Sequence, residues 1–143
     1  MFSEIKEQLK VGLHENESTH DYVVAVYLFG SSLQKESYKA DSDIDLAFLL
    51  RAEVYDADPL DAVIPAYMAA ASLGMCLGRE TDVTILNSAS LEIAYEIVTT
   101  GKCLLDYEPD KRLDYEIALR GMYFDFMPFI QELRKGCLRI LKG

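Results

Sequence analysis

Apolar residues recur three or four positions apart at Phe2, Ile5, Leu9 and Leu13, which predicts an amphipathic helix at the start of the chain. Residues 14–20, HENESTH, are polar and read as a loop. Residues 22–29, YVVAVYLF, are continuously apolar, β-branched and aromatic, as a strand buried on both faces is. GSSLQKESYKADSD follows as turn and loop, and residues 44–50, IDLAFLL, as a second strand. Asp58 and Pro59 supply an N-cap with proline at the first helical position; that helix runs to about Leu77 and stops at Gly78. Residues 81–86, TDVTIL, alternate, with Asp82 and Thr84 on one face and Val83 and Ile85 on the other. Ser88 or Ser90 caps a helix through about Thr100 that ends at Gly101, and residues 102–106 form a short last strand. From about 110 to 141 the pattern is helical again, and Pro128 inside it predicts a kink or a split into two helices.

The order α-β-β-α-β-α-β-α predicts an α/β (α+β) fold: a mixed sheet flanked by helices, with a long C-terminal helical segment. Two strands joined by a loop favour a mixed sheet over a doubly wound parallel one. We expect a single domain over residues 1–143, with a core at about 20–106 and the helical segment at about 110–142.

Charge adds a location. The chain has 143 residues, 14 Lys+Arg against 24 Asp+Glu, and a net charge of −10. This argues against duplex nucleic acid binding, which needs clustered Lys and Arg. Residues 36–61 carry eight acids and two bases, while residues 110–143 carry five acids and seven bases. Cys76, Cys103 and Cys137 are far apart and lack CxxC spacing, so reduced core cysteines are expected rather than disulfides or a zinc site. The start MFSEIKEQLK has no signal-peptide pattern, and no run of 18 apolar residues is present. A cytoplasmic protein with no membrane contact is the expectation.

The chemistry concentrates in LFGSSLQKESYKADSDIDLAFLL. The period of two puts Asp43 and Asp45 on one face at the start of the second strand, with Ile44 turned toward the core. Two carboxylates so close repel unless a cation lies between them, and hard divalent ions such as Mg²⁺ take carboxylate oxygens while keeping positions open for phosphates. Gly30 permits a tight turn that brings backbone N–H groups near an anion, and Ser31 adds a hydroxyl. An anion cradle beside a carboxylate pair is apparatus for phosphoryl or nucleotidyl transfer. Asp82 completes a carboxylate triad if the second and third strands are neighbours. Asp41, Lys35, Tyr38 and Arg79 read as ordinary loop residues. Phosphate binding by Lys35 or Arg79, and base stacking by Tyr38, are the sharper alternatives. No GxSxG, Walker lysine or HExxH motif occurs.

The sequence GS, eleven residues, DID, and a third aspartate in TDVTIL resembles the minimal nucleotidyltransferase branch of the polymerase-β-like nucleotidyltransferase superfamily, over residues 23 to about 105. The size and long C-terminal helix resemble the MntA-type antitoxins encoded beside HEPN-domain ribonuclease toxins. The resemblance implies transfer of AMP from ATP, with Mg²⁺ at a two-ion site, onto a tyrosine of a HEPN toxin, and a hetero-oligomer with that toxin. It assigns Gly30 and Ser31 to the phosphates and Asp43, Asp45 and Asp82 to metal and catalysis. Lys35 stands where many relatives have a second glycine. Two alternatives remain open: a binding module that masks the toxin without catalysis, and a small-molecule transferase of the aminoglycoside type.

The segment from Met122 to Met127 is Met, Tyr, Phe, Asp, Phe, Met, more apolar than one core-facing stripe requires. About half of these residues are expected in the core and the surplus at a partner surface.

Overall fold

The computed structural model describes residues 2–14, 20–30 and 43–142. Helix α1 spans Phe2–His14 and β1 Val23–Phe29. Then come β2 (Ile44–Leu50), α2 (Ala52–Ala57), α3 (Pro59–Leu77) and β3 (Thr81–Ile85). Helix α4 (Leu91–Thr100), β4 (Lys102–Asp106) and α5 (Pro109–Lys142) complete the described elements. The sheet order is β3-β2-β1-β4. β1 runs antiparallel to both β2 and β4, and β2 runs parallel to β3, so the sheet is mixed as expected.

A parallel pair needs a crossover, and α3 provides it. Its start is fixed by Asp58, whose side chain accepts from the Asp61 N–H at 3.3 Å. Its end is fixed by Gly78 at φ 64°, ψ 35°, a left-handed conformation that suits glycine. Ala62, Ala66, Ala69 and Ala70 line its inner face, and these small side chains let it lie close to the sheet. The Thr81 hydroxyl donates to the Ala70 carbonyl at 3.0 Å and ties the start of β3 to the helix. α3 is long and apolar enough to match a membrane span by length and composition, with 33% of that window buried. The core helix of an α/β fold meets the same criteria, and this one packs Ala66 and Leu73 into the core.

The sheet separates two apolar layers. On one face Ile5, Leu9 and Leu13 of α1 and Leu73 of α3 pack against Val26, Leu28, Leu46 and Phe48. On the other, Ala94, Ile97 and Val98 of α4 and Leu119 of α5 pack against Tyr27, Ala47 and Leu49. Each fully buried large side chain contributes roughly 1.5–3 kcal/mol. Under α5 the Tyr27 hydroxyl donates to the buried Glu116 carboxylate at 2.6 Å. Arg112 bridges Glu116 at 3.2 Å and Asp106 at 2.9 Å, which satisfies charges that burial alone would penalise.

Four sequence expectations change. Helix α5 continues through Pro128 instead of splitting. Proline removes one intrahelical hydrogen bond, but the following segment is held independently: Met127 is buried, and Arg134 makes two bonds to Glu92 of α4, at 2.9 and 3.0 Å. Tyr22 ends a 3₁₀ turn (His20–Tyr22), so β1 begins one residue later than expected. α2 was not foreseen, because six residues carry too little periodicity. The cysteines are free, but Cys76 and Cys137 are exposed; Cys76 lies on the outer face of α3, which is uncharged well beyond its core-facing stripe. His14 is exposed, as expected for a surface position.

Candidate active site

The register of β2 on β3 places Asp45 directly opposite Asp82. Across the antiparallel ladder the partner of Asp45 is Phe29, the last residue of β1. The next residue is Gly30, with φ 73°. A Cβ at position 30 would run into the Asp45 carboxylate, 3.2 Å from its Cγ. Only glycine combines that backbone conformation with that clearance.

Strand alternation puts Asp45 on the same side of the sheet as Ala47 and Leu49, and Asp82 on the same side as Leu86. The pair thus shares the α4/α5 face, at the strand ends left uncovered there. Asp82 is exposed, Asp45 half-buried, and Asp43, one residue before β2, exposed. The Ile44 N–H donates to the Glu80 carbonyl at 2.9 Å and extends the β2–β3 connection to this end.

Burial raises the Asp45 carboxyl above its ordinary pKa, and the charges of Asp82 and Asp43 and a hydrogen bond with Asp82 push the same way. The charges of the two carboxylates oppose each other, and a cation between them would relieve that repulsion. Its all-oxygen chemistry suits a hard divalent ion. Asp43 acts on Asp45 through its charge alone. Among the described residues no group of three His, Cys, Asp or Glu side chains is arranged to hold a metal ion.

Of the residues singled out from sequence, Gly30, Asp45 and Asp82 meet, and Asp43 adjoins them. Ser31, Lys35, Tyr38 and Asp41 lie outside the described residues. Arg79 is half-buried in the turn before β3. Two clefts of about 440 and 330 Å³ lie at the opposite end of the sheet, beside Leu49, Leu50, Leu86 and Asn87, and are separate from the carboxylates. Asn87 had no sequence signal: its amide accepts from the Leu50 N–H and donates to the Leu50 carbonyl, both at 2.9 Å, and fixes the turn after β3.

Comparison with known proteins identifies relatives of the chain. The family described as polymerase beta, nucleotidyltransferase matches residues 12–110. The protein adenylyltransferase MntA of Shewanella oneidensis is 36% identical over 98 residues, a match that spans 68% of this chain and 64% of that relative. A chain in a crystal structure of a toxin–antitoxin with AMP-PNP superposes with TM-score 0.65 at 27% identity, covering 96% of this chain and 98% of the other. A second superposes with TM-score 0.62 at 25% identity over the whole of both chains. It comes from the structure of a tri-AMPylated Shewanella oneidensis HEPN toxin in complex with MNT antitoxin. With its sheet order, its carboxylate pair and a family match over most of its length, the chain belongs to the polymerase beta nucleotidyltransferase family.

Proposed function

We propose that this chain is an antitoxin adenylyltransferase that moves AMP from ATP onto a tyrosine hydroxyl of a HEPN-domain ribonuclease toxin and silences it. The observation that carries the reading is the in-register Asp45–Asp82 pair beside Gly30. The MntA relative, a protein adenylyltransferase by name, and the AMPylated toxin in the superposed complex support the reaction type and the acceptor. The AMP-PNP complex supports ATP as donor.

Asp43, Asp45 and Asp82 are the residues that would hold Mg²⁺, which when bound neutralises the phosphate charge and polarises the α-phosphorus. Gly30 and Ser31 grip the β- and γ-phosphates and align the donor. The tyrosine oxygen attacks the α-phosphorus in line, a new P–O bond forms, and the bond to the β-phosphate breaks with loss of pyrophosphate. Asp82, exposed and opposite Asp45, orients the acceptor and takes its proton. The reaction belongs in the cytoplasm, where ATP and Mg²⁺ are available.

Incubation of the chain with ATP, Mg²⁺ and its HEPN toxin, followed by peptide mass spectrometry, tests the reading. Adenylylated tyrosine on the toxin supports it; an unmodified toxin across a range of metal and nucleotide conditions contradicts it. A masking mode without catalysis is favoured by one feature, the exposed apolar side of α5. In that mode carboxylate variants would neutralise the toxin as well as the unaltered chain does.

A further inference from the structure

Helix α5 buries one face against α4 and the sheet through Glu116, Leu119 and Met127. A second stripe, Met122, Phe126, Phe129 and Leu133, is spaced four, three and four residues apart and is 46–63% exposed. It extends about 17 Å along the helix. Isolated exposed apolar residues need no explanation, but a continuous apolar row does. Met122 also walls the 440 Å³ cleft lined by Tyr55, Leu86, Leu91 and Leu119, so the stripe leads into a socket.

The edge of the stripe has one sign. Asp114 and Asp125 are exposed and spaced eleven residues apart, which places them on one line of the helix. Asp125 lies three and four residues from Met122 and Phe129, so it borders the stripe directly. Among the described residues the bases nearby are engaged: Lys111 with Glu53 and Glu108, Arg120 with Glu116, Arg134 with Glu92, and Lys135 with Glu132. What remains is an apolar row with an acidic rail. It complements a helix whose apolar face is edged by Lys or Arg.

We propose that the Met122–Leu133 stripe of α5, with its acidic edge and the adjoining cleft, is the surface that docks the acceptor protein, through an apolar helix flanked by basic residues. This rests on the reading of the chain as an enzyme acting on another protein. It deepens that reading, because α5 packs on the sheet face that carries Asp45 and Asp82. A partner held along this stretch of α5 lies against the same sheet face as the carboxylates, with the adjoining cleft at the other end of the strands.

The test uses the full chain and its HEPN toxin in titration calorimetry, with Mg²⁺–ATP binding measured in parallel. Phe126→Asp and Phe129→Asp weaken toxin binding by about 30-fold or more, as loss of a buried anchor does. Asp125→Lys, at an exposed position, weakens it by roughly 5- to 10-fold, an effect that shrinks in high salt. All three variants bind Mg²⁺–ATP like the unaltered chain. Toxin affinity unchanged in the three variants overturns the docking surface and leaves the transferase reading standing. An unaltered chain that binds ATP but not the toxin overturns the docking proposal together with the choice of acceptor.

Discussion

Asp45 and Asp82 stand opposite each other across the parallel β2–β3 pair, and Gly30 at the end of β1 clears the space beside Asp45. The three-part pattern names both aspartates, but their meeting depends on β2 and β3 being neighbours. The β2–α3–β3 crossover brings them together, so the site is a product of register as much as of motif.

Gly30→Ala imposes both a left-handed strain and a collision with the Asp45 carboxylate. The strain alone costs roughly 1–2 kcal/mol. The expected result is a lower melting temperature together with loss of adenylyl transfer, read by calorimetry and by label incorporation on one preparation.

Asp45→Asn removes a half-buried charge that two other carboxylates oppose. In EDTA the variant melts at the same temperature as the unaltered chain or higher. Added Mg²⁺ stabilises the unaltered chain, by about 2.7 kcal/mol at a hundred times its dissociation constant, and leaves the variant unmoved. A calorimetric scan with and without Mg²⁺ checks both statements.

Tyr27→Phe takes away the hydroxyl that meets Glu116 at 2.6 Å and is expected to cost about 1–2 kcal/mol without changing transfer. The same hydroxyl gives a pH signature. Burial, reinforced by the bond to Glu116, raises the Tyr27 pKa above its ordinary value, and burial pushes Tyr115 up to about 12. A raised tyrosine favours the fold below its unfolded pKa near 10 and withdraws that contribution as pH climbs toward the folded value. Stability should therefore fall between about pH 10 and 12, and fall less steeply in Tyr27→Phe. Thermal melts across that range measure the difference.

Much of this was legible in the sequence. The apolar run of β1, the Asp58 and Gly78 caps of α3, and the GS and DID signature are local signals, and local physics reads them correctly. The contact between Asp45 and Asp82 depends on strand order, which no local pattern encodes. The Tyr27–Glu116 bond spans 89 residues and joins a residue that reads as apolar strand to one that reads as solvated helix. Of the kink or split expected at Pro128, the split does not occur, because the continuity of α5 is decided by what Met127 and Arg134 touch. Of the apolar residues from 122 to 127, Met127 is buried and Tyr123 half-buried, while Met122, Phe124 and Phe126 face out, so the core takes fewer of them than the expected half.

The central claim is that the carboxylate pair drives adenylyl transfer to the toxin, and ATP labelled at either phosphorus tests it most directly. The predicted result is label on the HEPN toxin from α-labelled ATP, at least 100-fold less with Asp45→Asn or Asp82→Asn, and none from γ-labelled ATP. Label arriving from the γ-position, or undiminished transfer by both variants, would contradict it.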